Sequence, residues 1–181
     1  MGHLTVLLGC MFAQKTTELL RRIRRFKSIG YNVLVINYSK DTRYGTDVIA
    51  SHDVDSHSAI CVDALKQVDE KVRGGEYKVV VIDEGQFFED LYKYVPAWAD
   101  ELDMHIVVAG LDGDSERRMF GDMLRLIPHA EEVERLTAFC AECRDGTVAT
   151  FSKYYGGGKD GQVEVGGADV YKPVCRRHYI E

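Results

Sequence analysis

The stretch from Gly9 to Thr17, GCMFAQKTT, nearly spells a phosphate-binding loop. In that loop, G-x-x-x-x-G-K-[ST], backbone N–H groups and a helix N-terminus surround a phosphate. Its lysine reaches the β- and γ-phosphates and its hydroxyl ligates magnesium. Gly9, Lys15 and Thr16 are in register, and Gln14 stands where the second glycine belongs. If the backbone there needs a positive φ, a glutamine costs roughly 1–2 kcal/mol. Taken alone, the stretch is as consistent with an ordinary strand-to-helix turn. A second cluster shifts the balance. The apolar run VVVI ends in Asp83 and Glu84, followed by Gly-Gln-Phe-Phe. An acidic strand end is what pairs with a phosphate loop to orient magnesium. A third cluster is Cys140-x-x-Cys143 with Cys175-x-x-His178. Two knuckle-spaced pairs flanking a loop-rich segment match the ligand set of a tetrahedral structural zinc. A redox pair is the alternative, and a histidine in fourth place does not fit it. His105, His129, Cys10 and Cys61 have no such company and read as structural.

Around these residues, apolar β-branched runs alternate with helical patterns. Strands are expected at His3–Leu8, Asn32–Tyr38, Tyr77–Glu84 and Met104–Leu111, and helices at Thr16–Ile29, Ser56–Arg73 and Phe88–Leu102. Near-continuous Val/Ile runs separated by helices imply an α/β fold with a parallel sheet buried on both faces. From about Phe139 the texture changes to cysteine pairs, glycines and short alternating runs such as QVEV. This reads as a small second module of hairpins with little core of its own, to which the metal would supply folding free energy.

The 181 residues suffice for one compact domain and a small appendage. A net charge of -6 argues against a dedicated nucleic-acid binder. The basic run RRIRRFK, Arg21–Lys27, reads as a solvated, partly paired helix face. No apolar run approaches the roughly 20 residues of a membrane span. The opening MGHLTVLLGC lacks a basic n-region, a cleavage site and a myristoylation signal, so a cytoplasmic protein is expected, not a secreted or membrane-bound one. Five cysteines without such a signal argue against a disulfide framework.

The chain as a whole resembles the type II thymidine kinases, cellular, bacterial and viral enzymes with a zinc-bearing lasso domain. The residues that carry the resemblance are TTELLRRIRRF, INYSKDTRYG, VIDEGQFF, VVAGLDG, RLTAFCAEC and GGADVYKPVCRRHY. The resemblance implies a P-loop (RecA-like) parallel sheet with helices on both faces, plus a C-terminal zinc-binding hairpin or lasso module. Residues 1–138 would form the nucleoside kinase domain and 139–181 the lasso domain. It implies transfer of the γ-phosphoryl of ATP to the 5′-hydroxyl of thymidine, or of deoxyuridine, with magnesium. Glu84 would be the general base. Asp83 would hold magnesium through water and Thr16 directly. Gly9, Met11, Phe12, Ala13, Gln14, Lys15, Thr16, Thr17, Arg43, Asp83 and Gln86 would meet ATP and its phosphates. Met11, Phe87, Leu111, Phe120, Ser152, Val165, Gly166 and Tyr171 would surround the nucleoside, and Cys140, Cys143, Cys175 and His178 would hold zinc. The resemblance further implies a homotetramer and feedback inhibition by thymidine triphosphate.

The chain departs from the family pattern in places. Cys10, Ala13 and Gln14 replace the usual Pro, Ser and Gly of the loop, and Ser115 stands where an aromatic residue is usual. Gln14 motivates an alternative: a relative that binds nucleoside or nucleotide with little or no turnover.

Overall fold

The computed structural model describes residues 1–39, 48–50, 56–156 and 170–181. Arg43, Val165 and Gly166, together with the expected strand QVEV, lie outside the described residues. The first strand, β1 (His3–Gly9), leads through the loop into α1 (Lys15–Ser28). Then come β2 (Val33–Tyr38), β3 (Val48–Ala50), β4 (Ser56–Ser58), β5 (Ile60–Val62), α2 (Asp69–Arg73), β6 (Val79–Ile82), α3 (Leu91–Glu101), β7 (His105–Gly110) and β8 (Glu132–Leu136). The main sheet has the order β5-β2-β6-β7-β1-β8, and every neighbouring pair is parallel.

Successive side chains of a strand point to opposite faces, so a strand covered on both sides must be apolar throughout. Val6 and Leu8 of β1 and Val80 and Ile82 of β6 face the same side as Leu91, Val95 and Trp98 of α3. Leu7, Val79, Val81 and Val107 face the other side, against Leu19, Leu20 and Ile23 of α1. Each such fully buried aliphatic side chain contributes about 1.5–3 kcal/mol. Helices therefore cover both faces, as the sequence implied. The register is level at the carboxyl edge: Leu8 lies beside Gly110, Gly9 beside Leu136, and Ile82 beside both Ile36 and Val108. The loops after β1, β6 and β7 thus leave the sheet from one edge, where open α/β sheets bind ligands.

One expected element is corrected. Residues 56–73 are not one helix. The segment forms β4, β5, a 3-10 turn at Leu65–Val68 and only then α2. Ile60 pairs beside Ile36 in β2, so the sheet edge claims Ile-Cys-Val as a strand. The turn is held by the Asp90 carboxylate, which accepts from the N–H groups of Leu65 and Lys66 at 3.0 Å each.

The edge strand β8 has no counterpart in the sequence reading. Its residues alternate half-buried and exposed, and its charges blunt the edge. Arg22 of α1 reaches it, donating to both oxygens of Glu132 at 2.9 Å and to Glu134 at 3.1 Å, and also to Glu18. These hydrogen bonds pull Glu132 down to about 2. The rest of the basic run is mostly exposed, which agrees with a partly paired helix face.

Beyond the sheet, β9 (Ala138–Phe139) pairs antiparallel with β10 (Val148–Ala149), and β11 (Phe151–Tyr154) with β12 (Tyr171–Val174), followed by α4 (Arg176–Ile180). The fully buried core here is small: Cys140, Ala149 and Val174.

Candidate active site and metal centre

The loop after β1 closes on its own lysine. Lys15 is buried and donates to the carbonyls of Cys10 at 2.8 Å and Gly9 at 3.3 Å, two partners for the three N–H groups of an ammonium. Gly9 has φ +152°, and a Cβ there would lie 2.5 Å from the Leu136 carbonyl, so the position admits only glycine. Phe12 and Gln14 both lie in the left-handed region, at φ 64° and 59°. The conditional cost attached to Gln14 therefore applies. Its side chain is exposed, and its carbonyl accepts from the Glu18 N–H at 3.0 Å, opening α1 as a glycine would.

The acidic strand end meets this loop. Thr16 Oγ1 donates to Asp83 Oδ2 at 2.8 Å, and the Glu84 N–H donates to Asp83 Oδ1 at 2.9 Å. Burial, followed by the neighbouring charge of Glu84, pushes the Asp83 carboxyl up to about 7, against the hydroxyl and N–H that favour its ionised form. The Thr16 hydroxyl and the Asp83 carboxyl are hard oxygen donors of the kind a magnesium ion takes. Glu84 lies in the left-handed region at φ 53°, strain of roughly 1–2 kcal/mol of the kind kept at functional sites. Its carboxylate accepts from Gln86 Nε2 at 2.6 Å, and Gln86 Oε1 accepts from the Leu111 N–H at 3.0 Å.

Of the apolar residues assigned to the nucleoside, Phe87, Phe120 and Leu111 lie beside this point. Phe87 meets Phe120 edge to face at 5.5 Å and stacks on Tyr38 at 5.2 Å. Tyr38 was absent from the sequence-derived set; its signal was only its place at the carboxyl end of β2. Phe120, Leu111 and Tyr171 are buried, and Tyr171 packs on Tyr154 with ring centroids 5.1 Å apart. Ser152 is buried and accepts from the Met11 N–H at 2.9 Å. Ser115 acts through its backbone, whose carbonyl accepts from Tyr179 Oη at 2.8 Å. Arg117 lies over the Tyr179 ring at 4.3 Å. The hairpin module thus touches both the phosphate loop and the loop that carries Phe120.

The four expected metal ligands converge. Cys140, Cys143, Cys175 and His178 present ligand atoms that all lie within 4.8 Å of one another. A tetrahedral zinc with Zn–S near 2.3 Å separates its sulfurs by about 3.8 Å. Cys143 Sγ and Cys175 Sγ are 3.8 Å apart, and His178 Nδ1 is 3.3–3.6 Å from the three sulfurs. Three thiols and an imidazole in this arrangement fit structural zinc. Cys10 and Cys61 stand apart from the cluster. Cys10 is buried against the Ala149 carbonyl, and burial raises its thiol pKa. His105 stacks among Phe26, Tyr31 and His3, and His129 packs on Tyr92.

A parallel sheet with a phosphate loop at one strand end, an acid pair at another and a Cys3His hairpin module against the loop defines a P-loop phosphotransferase with a zinc module. The family model described as "Thymidine kinase" matches residues 2–179. The chain is 41% identical over 181 residues to the thymidine kinase of monkeypox virus, covering 99% of this chain and 98% of that one. It is 42% identical to the cytosolic thymidine kinase of Homo sapiens, covering 99% of this chain and 74% of the relative. It is 43% identical over 183 residues to thymidine kinase a of Arabidopsis thaliana, covering 99% and 75%. The chain belongs to the thymidine kinase family.

Proposed function

We propose that this chain transfers the γ-phosphoryl group of ATP to the 5′-hydroxyl of thymidine. The observation that carries the reading is the junction of Thr16 with Asp83, which joins a lysine-bearing phosphate loop to an acid pair. Phosphoryl transfer needs positioning and charge neutralisation more than covalent chemistry. The backbone of Gly9 and Met11–Thr17, with Lys15, binds the phosphates of ATP. Thr16 and Asp83 hold magnesium, which when bound neutralises charge on those phosphates. Glu84 accepts the proton of the 5′-hydroxyl as the O5′–Pγ bond forms and the bond from Pγ to the β,γ-bridging oxygen breaks. Phe87, Phe120, Leu111 and Met11 enclose the base, with Ser152 and Tyr171 at its far side. By the family resemblance Arg43 would bind the phosphates, and Val165 and Gly166 the base. Residues 1–138 act as the kinase domain and 139–181 as the lasso. Deoxyuridine is a second substrate and thymidine triphosphate a feedback inhibitor of a cytoplasmic homotetramer. Among the described residues no helix is long and apolar enough to cross a membrane.

The alternative, binding without turnover because of Gln14, is not favoured. The loop closes around Lys15 with the Gln14 side chain pointing outward. The deciding experiment is ATP-dependent phosphorylation of thymidine by the purified protein and by its Glu84→Gln variant. Turnover by the first and loss of at least about 100-fold in the second is expected for removal of a general base. A protein that binds both ligands by calorimetry and yields no thymidine monophosphate would overturn the reading.

A further inference from the structure

Gln86 has a more specific place than a phosphate contact. It is 4% exposed and lies in the 3-10 turn Gly85–Phe87, directly after Glu84. Its two amide ends are engaged by different elements. The Leu111 N–H can only donate, so the end of the amide it meets at 3.0 Å must be the carbonyl oxygen. That choice turns the NH2 toward Glu84, where it donates to Oε2 at 2.6 Å, a short charge-assisted bond. The backbone at the end of β7 is shaped to admit this amide: a Cβ on Gly110 would lie 2.7 Å from Gln86 Oε1. Leu111 follows Gly110, the last residue of β7.

We infer that Gln86 is the positioning residue for Glu84, an amide strut that fixes the plane of its carboxylate relative to the end of β7. The inference rests on the reading of Glu84 as general base. Gln86 acts on the reaction through that carboxylate, and not by touching ATP. A carboxylate on a flexible side chain samples several rotamers, and a general base works only within hydrogen-bond reach of the proton it takes. Anchoring one oxygen by a donor that is itself anchored removes that freedom before the substrate arrives. The strut also ties the base to the backbone that follows β7.

The test compares steady-state kinetics of the whole protein with those of Gln86→Glu, Glu84→Gln and the double variant. Gln86→Glu keeps the acceptor for the Leu111 N–H and loses the donor to Glu84. We expect its kcat to fall at least about 10-fold, a share of the roughly 10²–10⁴-fold that a general base supplies. The KM values for thymidine and ATP stay within about threefold, because uniform binding is untouched. In the Glu84→Gln background the same change has no more than about a twofold effect, since residues acting through one another are non-additive. Gln86→Met, of similar length and without a donor, gives the same pattern and avoids two neighbouring carboxylates. A raised KM for ATP at unchanged kcat would make Gln86 a phosphate contact and overturn the inference, as would undiminished kcat in both variants. Undiminished turnover by Glu84→Gln would instead sink the assignment of the base itself.

Discussion

The backbone N–H of Met11 donates to the hydroxyl of Ser152 at 2.9 Å, joining the phosphate loop to β11 across 141 positions of the chain. Beside it the Cys10 thiol donates to the carbonyl of Ala149, a fully buried member of the hairpin module's core. One wall of the phosphate loop is therefore made by the hairpin module. A partly buried backbone N–H needs an acceptor, and here a side chain of a distant element supplies it. Ser152→Ala removes that acceptor. We expect a loss of about 1–3 kcal/mol, the cost of a donor left unsatisfied, and a several-fold rise in the KM for ATP. Urea unfolding and initial-rate kinetics check the two effects. Unchanged values in both would show that the loop holds its shape without the module.

Gln14 occupies a left-handed backbone conformation, φ 59° and ψ 32°. Gln14→Gly relieves roughly 1–2 kcal/mol of Cβ strain and adds about 0.5–1 kcal/mol of unfolded-chain entropy. The net expectation is a stabilisation of up to about 1.5 kcal/mol, with ATP affinity equal or higher. Thermal unfolding and calorimetric titration with ATP measure both. A lower melting temperature for the glycine variant would mean that the glutamine makes contacts worth more than its strain.

Asp83 makes stability depend on pH. Its carboxyl ordinarily titrates at 3.8 and is raised to about 7 in the fold by burial and by Glu84. Between those values the folded protein binds the proton and the unfolded chain releases it. Stability therefore falls as pH rises through this window and levels off above it. Asp83→Asn removes that loss. The variant is expected to gain more in melting temperature at pH 8 than at pH 4, while losing turnover. An equal shift at both pH values would show that the carboxyl is not held protonated in the fold.

Metal removal is expected to act locally first. With a fully buried core of Cys140, Ala149 and Val174, the hairpin module depends on its ligands for folding free energy. Chelation should abolish amide protection in residues 139–154 and 170–181 while β6 and β7 keep theirs. Thymidine affinity should fall, and ATP affinity should fall with it through the Met11–Ser152 link. Hydrogen exchange with and without a chelator, alongside calorimetry, separates the two regions. Full protection of the module after verified zinc loss would assign its stability to packing alone.

Much of the site was legible in short stretches of chain. Val79–Ile82 must be a covered strand because four consecutive apolar β-branched residues suit no half-exposed position. Gly9, Lys15 and Thr16 mark a phosphate loop because their spacing meets a local geometric need. Two knuckle-spaced pairs suggest a zinc site because ligand geometry is short-range. Residues 56–73 were misread because a strand claimed by a sheet edge and a helix share the same apolar residues. The pattern between them is decided by β2, which lies elsewhere in the chain.

The sequence by itself determined the local chemistry: which residues donate, accept, ligate and bury, and which turns demand glycine. Only the tertiary structure decided partners. Arg22 pairs with Glu132 and Glu134, Met11 with Ser152, and Tyr179 with the Ser115 carbonyl, none of which is a neighbour in sequence. The orientation of the Gln86 amide is settled by the Leu111 N–H, 25 positions away. Periodicity and φ/ψ preference are properties of adjacent residues. The satisfaction of a given donor depends on which strand ends the packed sheet brings to one edge.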